Sequence, residues 1–125
     1  MALTDKTAKH NKELGASGEK QAVRYLRRSG WKILEKNFKN PFGEVDIIAE
    51  KGETVAFIEV KTRLSDLYGM PSEAVTSQRK RRYISAAKYY FTGRAMDCVV
   101  RFDIIEIFCG RLNHIENAFS AGGKL

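Results

Sequence analysis

The sequence predicts an α/β fold in which two helices pack against a small, central, mixed β-sheet. Residues 11–29 show the helical spacing of apolar side chains, and residues 31–63 read as short strands separated by polar turns. A second helical segment follows before further strand-like residues. An order of helix, strands, helix and strands is typical of a sheet with helices on its faces.

The first helix is predicted over Asn11–Ser29. Ala22, Val23 and Leu26 form one apolar stripe of this helix. We expect Gly30 to end it, because glycine readily takes the left-handed conformation that follows a last helical turn. The stripe predicts which face of the helix packs on the sheet.

The segment after the helix predicts a strand over "WKILEKNFK" (31–39) and a loop at "NPFG" (40–43). The stretch "GEVDIIAEKGETVAFIEVKTR" (43–63) then predicts a hairpin with a tight polar turn at "KGET" (51–54). Apolar side chains are expected on both faces of this hairpin: Ile48 and Phe57 on one, and Val45, Ile47, Ile58 and Val60 on the other. We therefore expect it to be covered on both sides.

The second half of the chain predicts the remaining elements. A loop over 63–72 precedes a helix over Ser72–Phe91, with Val75, Ala86, Ala87 and Tyr90 facing inward. A strand follows over "CVVRFDIIEIF" (98–108), and an edge strand over 112–119. We predict a single domain over 1–125, with disordered tails at about 1–10 and 120–125.

Composition bounds the class of protein. Apolar residues make up 43% of the chain and charged residues 30%, which is typical of a globular protein. No apolar run approaches the roughly 20 residues that cross a bilayer, and the first residues lack the apolar segment of a signal peptide. We therefore expect a cytoplasmic protein with no membrane partner.

Cysteine and histidine carry little signal. Cys98 and Cys109 lie in apolar segments without metal-ligand spacing, so we expect two reduced, partly buried thiols. His10 and His114 are isolated in polar surroundings, and we assign neither a role.

The charges favour a polyanionic partner. Lysine and arginine number 22 against 15 acidic residues, for a formal net charge of +7. Such an excess favours binding to nucleic acid, although basic proteins also use it simply to remain soluble. On the first helix, Arg24 and Arg28 are expected to face solvent.

The hairpin brings charged residues together within an apolar stretch. With Glu50 paired to Val55, the side chains of Glu44, Asp46, Glu59 and Lys61 project from one face. One interpretation is a solvated face with cross-strand ion pairs. However, Asp46 then lies opposite Glu59, and like charges in that position are destabilising without a counter-charge.

A metal site is the alternative. Crowded carboxylates raise one another's pKa unless a cation neutralises them, and Mg²⁺ or Mn²⁺ with oxygen ligands would do so. Lys61 could then orient a water or balance charge on a phosphate. Glu19 lies on the apolar stripe of the first helix, where a close approach through Gly15 and Gly18 would bring it to the same place; an ion pair with Lys61 or an arginine explains it equally well.

The short sequence motifs around these residues resemble those of a known family. "GASGE" (15–19), "GEVDIIA" (43–49), "FIEVKTR" (57–63), "EAVT" (73–76) and "RFDII" (101–105) occur in order, at spacings similar to the YraN-like uncharacterised protein family. The resemblance covers roughly residues 13–119. The helical glutamate followed by Asp…Glu-Val-Lys resembles the PD-(D/E)xK nuclease superfamily.

The resemblance implies a restriction endonuclease-like core, similar to Holliday junction resolvases. It implies that Asp46, Glu59 and the carbonyl of Val60 bind the divalent metal, that Lys61 serves catalysis, and that Glu19 completes the catalytic set. One departure is the second helix, where the family often has Lys-Gln and this chain has Arg79-Lys80. That substitution leaves a glutamine role there in doubt.

Further basic residues are candidates for nucleic-acid binding. Arg63 directly follows the strand that carries Glu59, and Arg79, Lys80 and Arg82 lie on the second helix. An isolated basic run of this kind is more often a solvated helix face, but beside a nuclease-like site contact with phosphates is the better interpretation. Tyr83, Tyr89 and Tyr90 fit base stacking and core packing equally well.

We therefore predict a metal-dependent endonuclease acting on DNA, including branched or damaged structures. Two other classes stay open: a non-catalytic nucleic-acid-binding module that retains the fold, and an adaptor whose partner is another protein. The sequence also leaves open a homodimer, since resolvases of symmetric junctions work as two-fold dimers.

Overall fold

The computed structural model describes residues 17–63 and 76–120 of the chain. They form two helices and five strands: α1 (17–28), β1 (Lys32–Asn40), β2 (Gly43–Lys51), β3 (Thr54–Arg63), α2 (Ser77–Phe91), β4 (Val99–Phe108) and β5 (Arg111–Phe119). Within those two ranges, neither helix has the length and apolar character that crossing a membrane requires.

The strands form one sheet in the order β1-β2-β3-β4-β5. Neighbours are antiparallel except β3 and β4, which are parallel and are connected through α2. A parallel pair needs a long crossover connection, and a helix usually supplies it. The predicted α/β fold with a mixed sheet flanked by helices is confirmed, and it is consistent with a nuclease-like core.

Each face of the sheet packs against one helix. On one side Tyr90 and its neighbours in α2 contact Phe57 and Phe102; on the other Leu26 of α1 packs with Ile47 and Ile58. The hairpin is thus covered on both sides, as its two apolar faces predicted.

The hairpin register is confirmed as far as the pair of Ile47 with Ile58, but the ladder stops there and the expected pair of Asp46 with Glu59 is not formed. Glu50 pairs with Val55, and the turn is tightened to two residues because Lys51 pairs with Thr54. The expectation that Val45 shares a face with Ile47 is wrong, since Val45 packs on the α2 side. The alternation of β2 is interrupted at Asp46, opposite Asn37, which has a left-handed φ of 51°.

The helix ends differ slightly from prediction. Thr76 has extended dihedrals, and its hydroxyl oxygen accepts a hydrogen bond from the Arg79 N–H, so α2 begins at Ser77 and not at Ser72. Gly30, with φ of 91°, ends α1 as predicted, and the Trp31 N–H donates back to the Leu26 carbonyl.

Several predictions concern residues that the structure does not describe. The predicted tails, Asn11, Gly15, the 63–72 loop beyond residue 63, and Val75 lie outside the described residues. Cys98 is half-buried as expected, but Cys109 is exposed because it lies in the turn between β4 and β5.

Candidate functional site

The predicted acids lie where β2 and β3 separate. The last pair of their ladder at this end is Ile47 with Ile58. Beyond it, the Asp46 carboxylate accepts a hydrogen bond of 2.8 Å from the Val60 backbone N–H. The carboxylate therefore occupies the place of a strand partner and is held between the two strands by an oriented backbone donor.

Glu59 is the most buried acid of the group, with 2% of its surface exposed. Its Oε1 contacts the Lys61 ammonium at 3.4 Å and the guanidinium of Arg79 from α2. These contacts balance its charge, but among the described residues none of them is aligned as a hydrogen bond to Oε1. A buried oxygen without a hydrogen bond retains a desolvation penalty, so Oε1 is the atom here that would gain most from another cation or donor.

Helix α1 reaches the same region through a close contact. A Cβ added at Gly18 would lie 2.0 Å from the Thr62 hydroxyl oxygen, so only glycine allows this approach to β3. The next residue is Glu19. With its amide nitrogen turned toward acceptors, Asn37 donates to Glu19 Oε2 at 3.0 Å and to Glu44 Oε1 at 2.8 Å.

The acids influence one another electrostatically. The pKa of Asp46 is raised from 3.8 to about 6: burial is the main cause, the hydrogen bond from Val60 opposes it, and the charges of Glu19, Glu59 and Glu44 add to it. Burial also raises the pKa of Glu19, the hydrogen bond from Asn37 lowers it, and the charge of Glu44 raises it. No ion pair of Glu19 occurs with any described residue, so the ion-pair explanation for it finds no support in this part of the chain.

The basic residues predicted to bind nucleic acid divide into two groups by their position. Arg79 and Arg82 line a cavity of about 270 Å³ that also includes Asp46. Lys80 is half-buried on the helix, and Arg63 is half-buried at the end of β3, where its carbonyl accepts from the Cys109 N–H. The structure therefore places Arg79 and Arg82 beside the acids.

Two residues near the acids were not predicted to belong with them: Tyr83, which was considered only for base stacking or core packing, and Asn37. Burial raises the pKa of Tyr83 well above its usual value, and the charges of Asp46 and Glu59 act in the same direction. Its position one helical turn after Arg79 is the signal that could have located it. Asn37 carried no such signal, because its role depends on a left-handed backbone in β1.

A second polar cluster surrounds Asp103, which is fully buried on β4. Arg101 donates two hydrogen bonds of 2.9 Å to its carboxylate, His114 Nε2 lies at 2.7 Å, and the Asn117 N–H donates at 2.9 Å. Burial alone would raise the pKa of Asp103, but these donors lower it. The Tyr25 hydroxyl lies 2.9 Å from His114 Nδ1, which joins α1 to the sheet. The expectation that His114 is isolated is therefore wrong, because its buried ring contacts both Asp103 and Tyr25.

Comparison with known proteins shows the family to which the chain belongs. The model of the Uncharacterised protein family UPF0102 matches residues 18–107. The chain belongs to the UPF0102 family. A UPF0102 protein of Thermodesulfovibrio yellowstonii is 49% identical over 107 residues, which cover 86% of this chain and 96% of the relative. One from Geobacter metallireducens is 49% identical over 115 residues, or 88% and 94% of the two chains.

The matched range of the UPF0102 family includes Glu19, Asp46, Glu59 and Lys61. The resemblance to the YraN-like family is thus confirmed. Neither the family description nor the names of these relatives states a reaction, so the reaction must be argued from the site.

The carboxylates of the site suit a divalent metal that keeps part of its water shell. Among residues 17–63 and 76–120, no three His, Cys, Asp or Glu side chains are grouped closely enough to form a metal cage. Mg²⁺ does not require one, because it is usually held by one or two carboxylates and keeps several waters. The buried Oε1 of Glu59, which lacks a hydrogen bond, and the neighbouring carboxylate of Asp46 fit such an open site.

Proposed function

We propose that this protein is a metal-dependent endonuclease of the PD-(D/E)xK superfamily that hydrolyses phosphodiester bonds in DNA, including branched or damaged structures. The observation that supports it most is the buried Glu59 Oε1, which lies beside a lysine and an arginine but accepts no hydrogen bond from the described residues. An unsatisfied buried carboxylate is a frequent mark of a functional site.

Asp46, Glu59 and the Val60 carbonyl would hold Mg²⁺ or Mn²⁺. When bound, such an ion polarises a phosphate oxygen and favours a hydroxide nucleophile. The Val60 N–H orients Asp46 from the same residue that supplies the carbonyl. The backbone of Val60 would therefore serve the site twice: its N–H orients Asp46, and its carbonyl would bind the metal.

The remaining groups handle charge and water. Lys61, with 19% of its side chain exposed, can turn its ammonium from Glu59 toward a phosphate that carries developing negative charge. Glu19 can accept a hydrogen bond from the attacking water, since burial keeps its carboxyl a better base than usual. Arg79 and Arg82 line the entrance on the α2 side and would contact the phosphates that flank the scissile bond.

Metal binding is tested first by thermal unfolding. We expect Mg²⁺ or Mn²⁺ to raise the melting temperature of the wild type, because a ligand that binds only the folded state stabilises it. Asp46→Asn or Glu59→Gln should remove the rise, whereas Glu53→Gln, an exposed acid in the turn of the same hairpin, should retain it. A rise that persists in both site variants would exclude these carboxylates as the metal ligands.

Cleavage is tested on a panel of labelled single-stranded, duplex, flap and four-way-junction DNA, with RNA for comparison. We expect metal-dependent cutting of DNA that is lost in Lys61→Ala. Cutting that is unchanged in this variant would show that the activity comes from another site or another protein.

One observation favours a second function, that of a non-catalytic nucleic-acid-binding module. The guanidinium of Arg79 contacts Glu59 Oε1, so the charge of this carboxylate is already partly neutralised within the described part of the chain. In that case oligonucleotides would bind in a salt-sensitive manner in EDTA, and metal would change neither stability nor the DNA.

A further inference from the structure

A groove on the α1 side of the sheet is lined by basic side chains that the function proposed above does not use. It has a volume of about 550 Å³, and the carboxyls of Glu19 and Asp46 line it together with these cations. The cations come from both walls: Lys20, Arg24, Arg27 and Arg28 from α1, and Lys36 from β1.

The two acids that line the same groove, Glu19 and Asp46, do not hold these five cations in ion pairs. None of them forms an ion pair with any residue in 17–63 or 76–120, and all five side chains are exposed. Arg79 on the opposite side of the sheet is, by contrast, already paired with Glu59. Like charges on two facing walls repel one another, and a cleft concentrates their potential, so the groove attracts an anion more strongly than a flat basic helix would.

The spacing of the cations suits a repeated anion. Positions 20, 24, 27 and 28 follow the i, i+4, i+7, i+8 pattern of one helix face and extend over about 12 Å. Phosphates of one strand of a nucleic acid duplex recur about every 3.4 Å along the axis, so the row matches about three to four of them. A single small anion would leave most of the row unused.

The surroundings of the row favour a nucleic acid over an anionic membrane. A helix that binds a membrane surface places apolar residues beside its cations, at the level of the lipid chains. Here the apolar residues Ala22, Val23 and Leu26 of α1 are buried against the sheet. The large apolar side chains that the described residues expose are Phe42, Tyr89, Met96 and Val99, none of them on α1.

From these observations we propose that the α1 groove binds the phosphodiester backbone of the nucleic acid substrate and leads it to Glu19 and Asp46. The proposal rests on the function proposed above and adds a binding surface to it. Asp46 lines both this groove and the smaller cavity beside Arg79 and Arg82. The backbone therefore crosses the end of the sheet from the α1 side to the α2 side, with the scissile phosphate at the acids.

The test measures binding without catalysis. Fluorescence anisotropy with a labelled 20-nucleotide DNA, single-stranded and as a duplex, is recorded in EDTA over a range of salt concentrations. We expect Arg24→Gln/Arg27→Gln to weaken binding by about tenfold near 0.1 M salt and to lower the salt dependence of log K by about 1.4 to 1.8, because each lost phosphate contact contributes about 0.7 to 0.9.

Two matched variants separate location from net charge. Lys32→Gln/Lys88→Gln removes the same two charges from exposed positions outside the groove, and should change binding less than about twofold. Arg24→Lys/Arg27→Lys keeps the charges in place and should stay close to the wild type. Equal losses in the two glutamine variants, or no loss in either, would overturn the proposal.

A measurement on the wild type does not depend on how the variants fold. Bound oligonucleotide should protect Lys20 and Lys36 from acetylation more than it protects Lys32 and Lys88; equal labelling with and without DNA would overturn the proposal. Protection by vesicles of anionic phospholipid, without protection by DNA, would also overturn it. The effect of metal on the melting temperature of the wild type is recorded separately. If metal raises this temperature but the groove variants and the acetylation show no DNA binding in the groove, the proposal for the groove is refuted and the proposed metal site is not.

Discussion

Replacing Asp46 by asparagine should make the protein more stable at neutral pH, although it removes a candidate functional group. An asparagine side-chain oxygen can still accept the hydrogen bond from the Val60 N–H, so the packing between β2 and β3 is retained. The change removes only the negative charge, which lies among three other acids. Asp46→Asn therefore isolates the cost of that charge.

The magnitude follows from the pKa. Burial and neighbouring charges raise the pKa of Asp46 from 3.8 to about 6. A pKa difference of one corresponds to about 1.4 kcal/mol, so the ionised carboxylate destabilises the folded state by about 3 kcal/mol. Asp46 is half-buried, so solvent screening makes this an upper value.

The direction of the pKa shift determines the pH range in which the charge of Asp46 lowers stability. Because the folded pKa lies above the unfolded value, the folded state binds the proton more tightly, and this contribution to stability is complete only below the unfolded pKa of 3.8. It is lost as the pH rises through about 6. We expect Asp46→Asn to exceed the wild type by about 2 to 3 kcal/mol at pH 7.5, by about half of that at pH 5, and by almost nothing below pH 4.

Urea unfolding in EDTA across pH 4–8 measures this difference. The free energies of unfolding are compared between variant and wild type at each pH, which cancels the titration of the other groups. Asp97→Asn, an exposed acid outside the site, is the control and should show no comparable trend. A variant that is less stable at pH 7.5, or a difference that is constant with pH, would show that the charge of Asp46 is compensated and not penalised.

Two further substitutions test the contacts around the acids. Gly18→Ala should destabilise the protein by about 1 to 2 kcal/mol in urea unfolding, because overlap with Thr62 outweighs the gain in helix propensity; Thr62→Ala in the same chain should restore most of the loss, and additive effects would contradict the contact. Arg79→Gln removes the guanidinium that competes for Glu59, so calorimetry should show Mg²⁺ binding tighter by about two- to fivefold and anisotropy should show weaker DNA binding; weaker Mg²⁺ binding would contradict that competition.

The sequence was most informative where local rules decide the structure. The turn and the alternation of apolar residues fixed the pairing of Glu50 with Val55, and this register brings Asp46 and Glu59 to neighbouring strands at one end of the sheet. Gly30 ended α1 because a left-handed residue was needed there. These features depend on residues close together in the chain.

Contacts between distant elements could not be predicted in the same way. Arg79 meets Glu59 only because α2 crosses between β3 and β4, and that placement depends on the whole core. His114 was expected to be isolated because nothing near it in the sequence suggests a partner, yet its ring contacts Tyr25 from the other end of the chain and Asp103 on the neighbouring strand. Sequence patterns describe the periodicity of one element and carry little information on which element covers it.

The two central acids are balanced in different ways, and this difference bears on how the site would work. Glu59 is held beside two cations of the protein, whereas the high pKa of Asp46 means that near pH 6 a proton partly neutralises it. A divalent cation shared by both carboxyls would replace the proton on one and weaken the contact of Arg79 with the other. Arg79, once released, lies beside Arg82 on the wall of the cavity that contains Asp46. Under the proposed function, binding of the metal and binding of a phosphate would therefore be coupled through one side chain, because the same guanidinium cannot fully serve Glu59 and a phosphate at once.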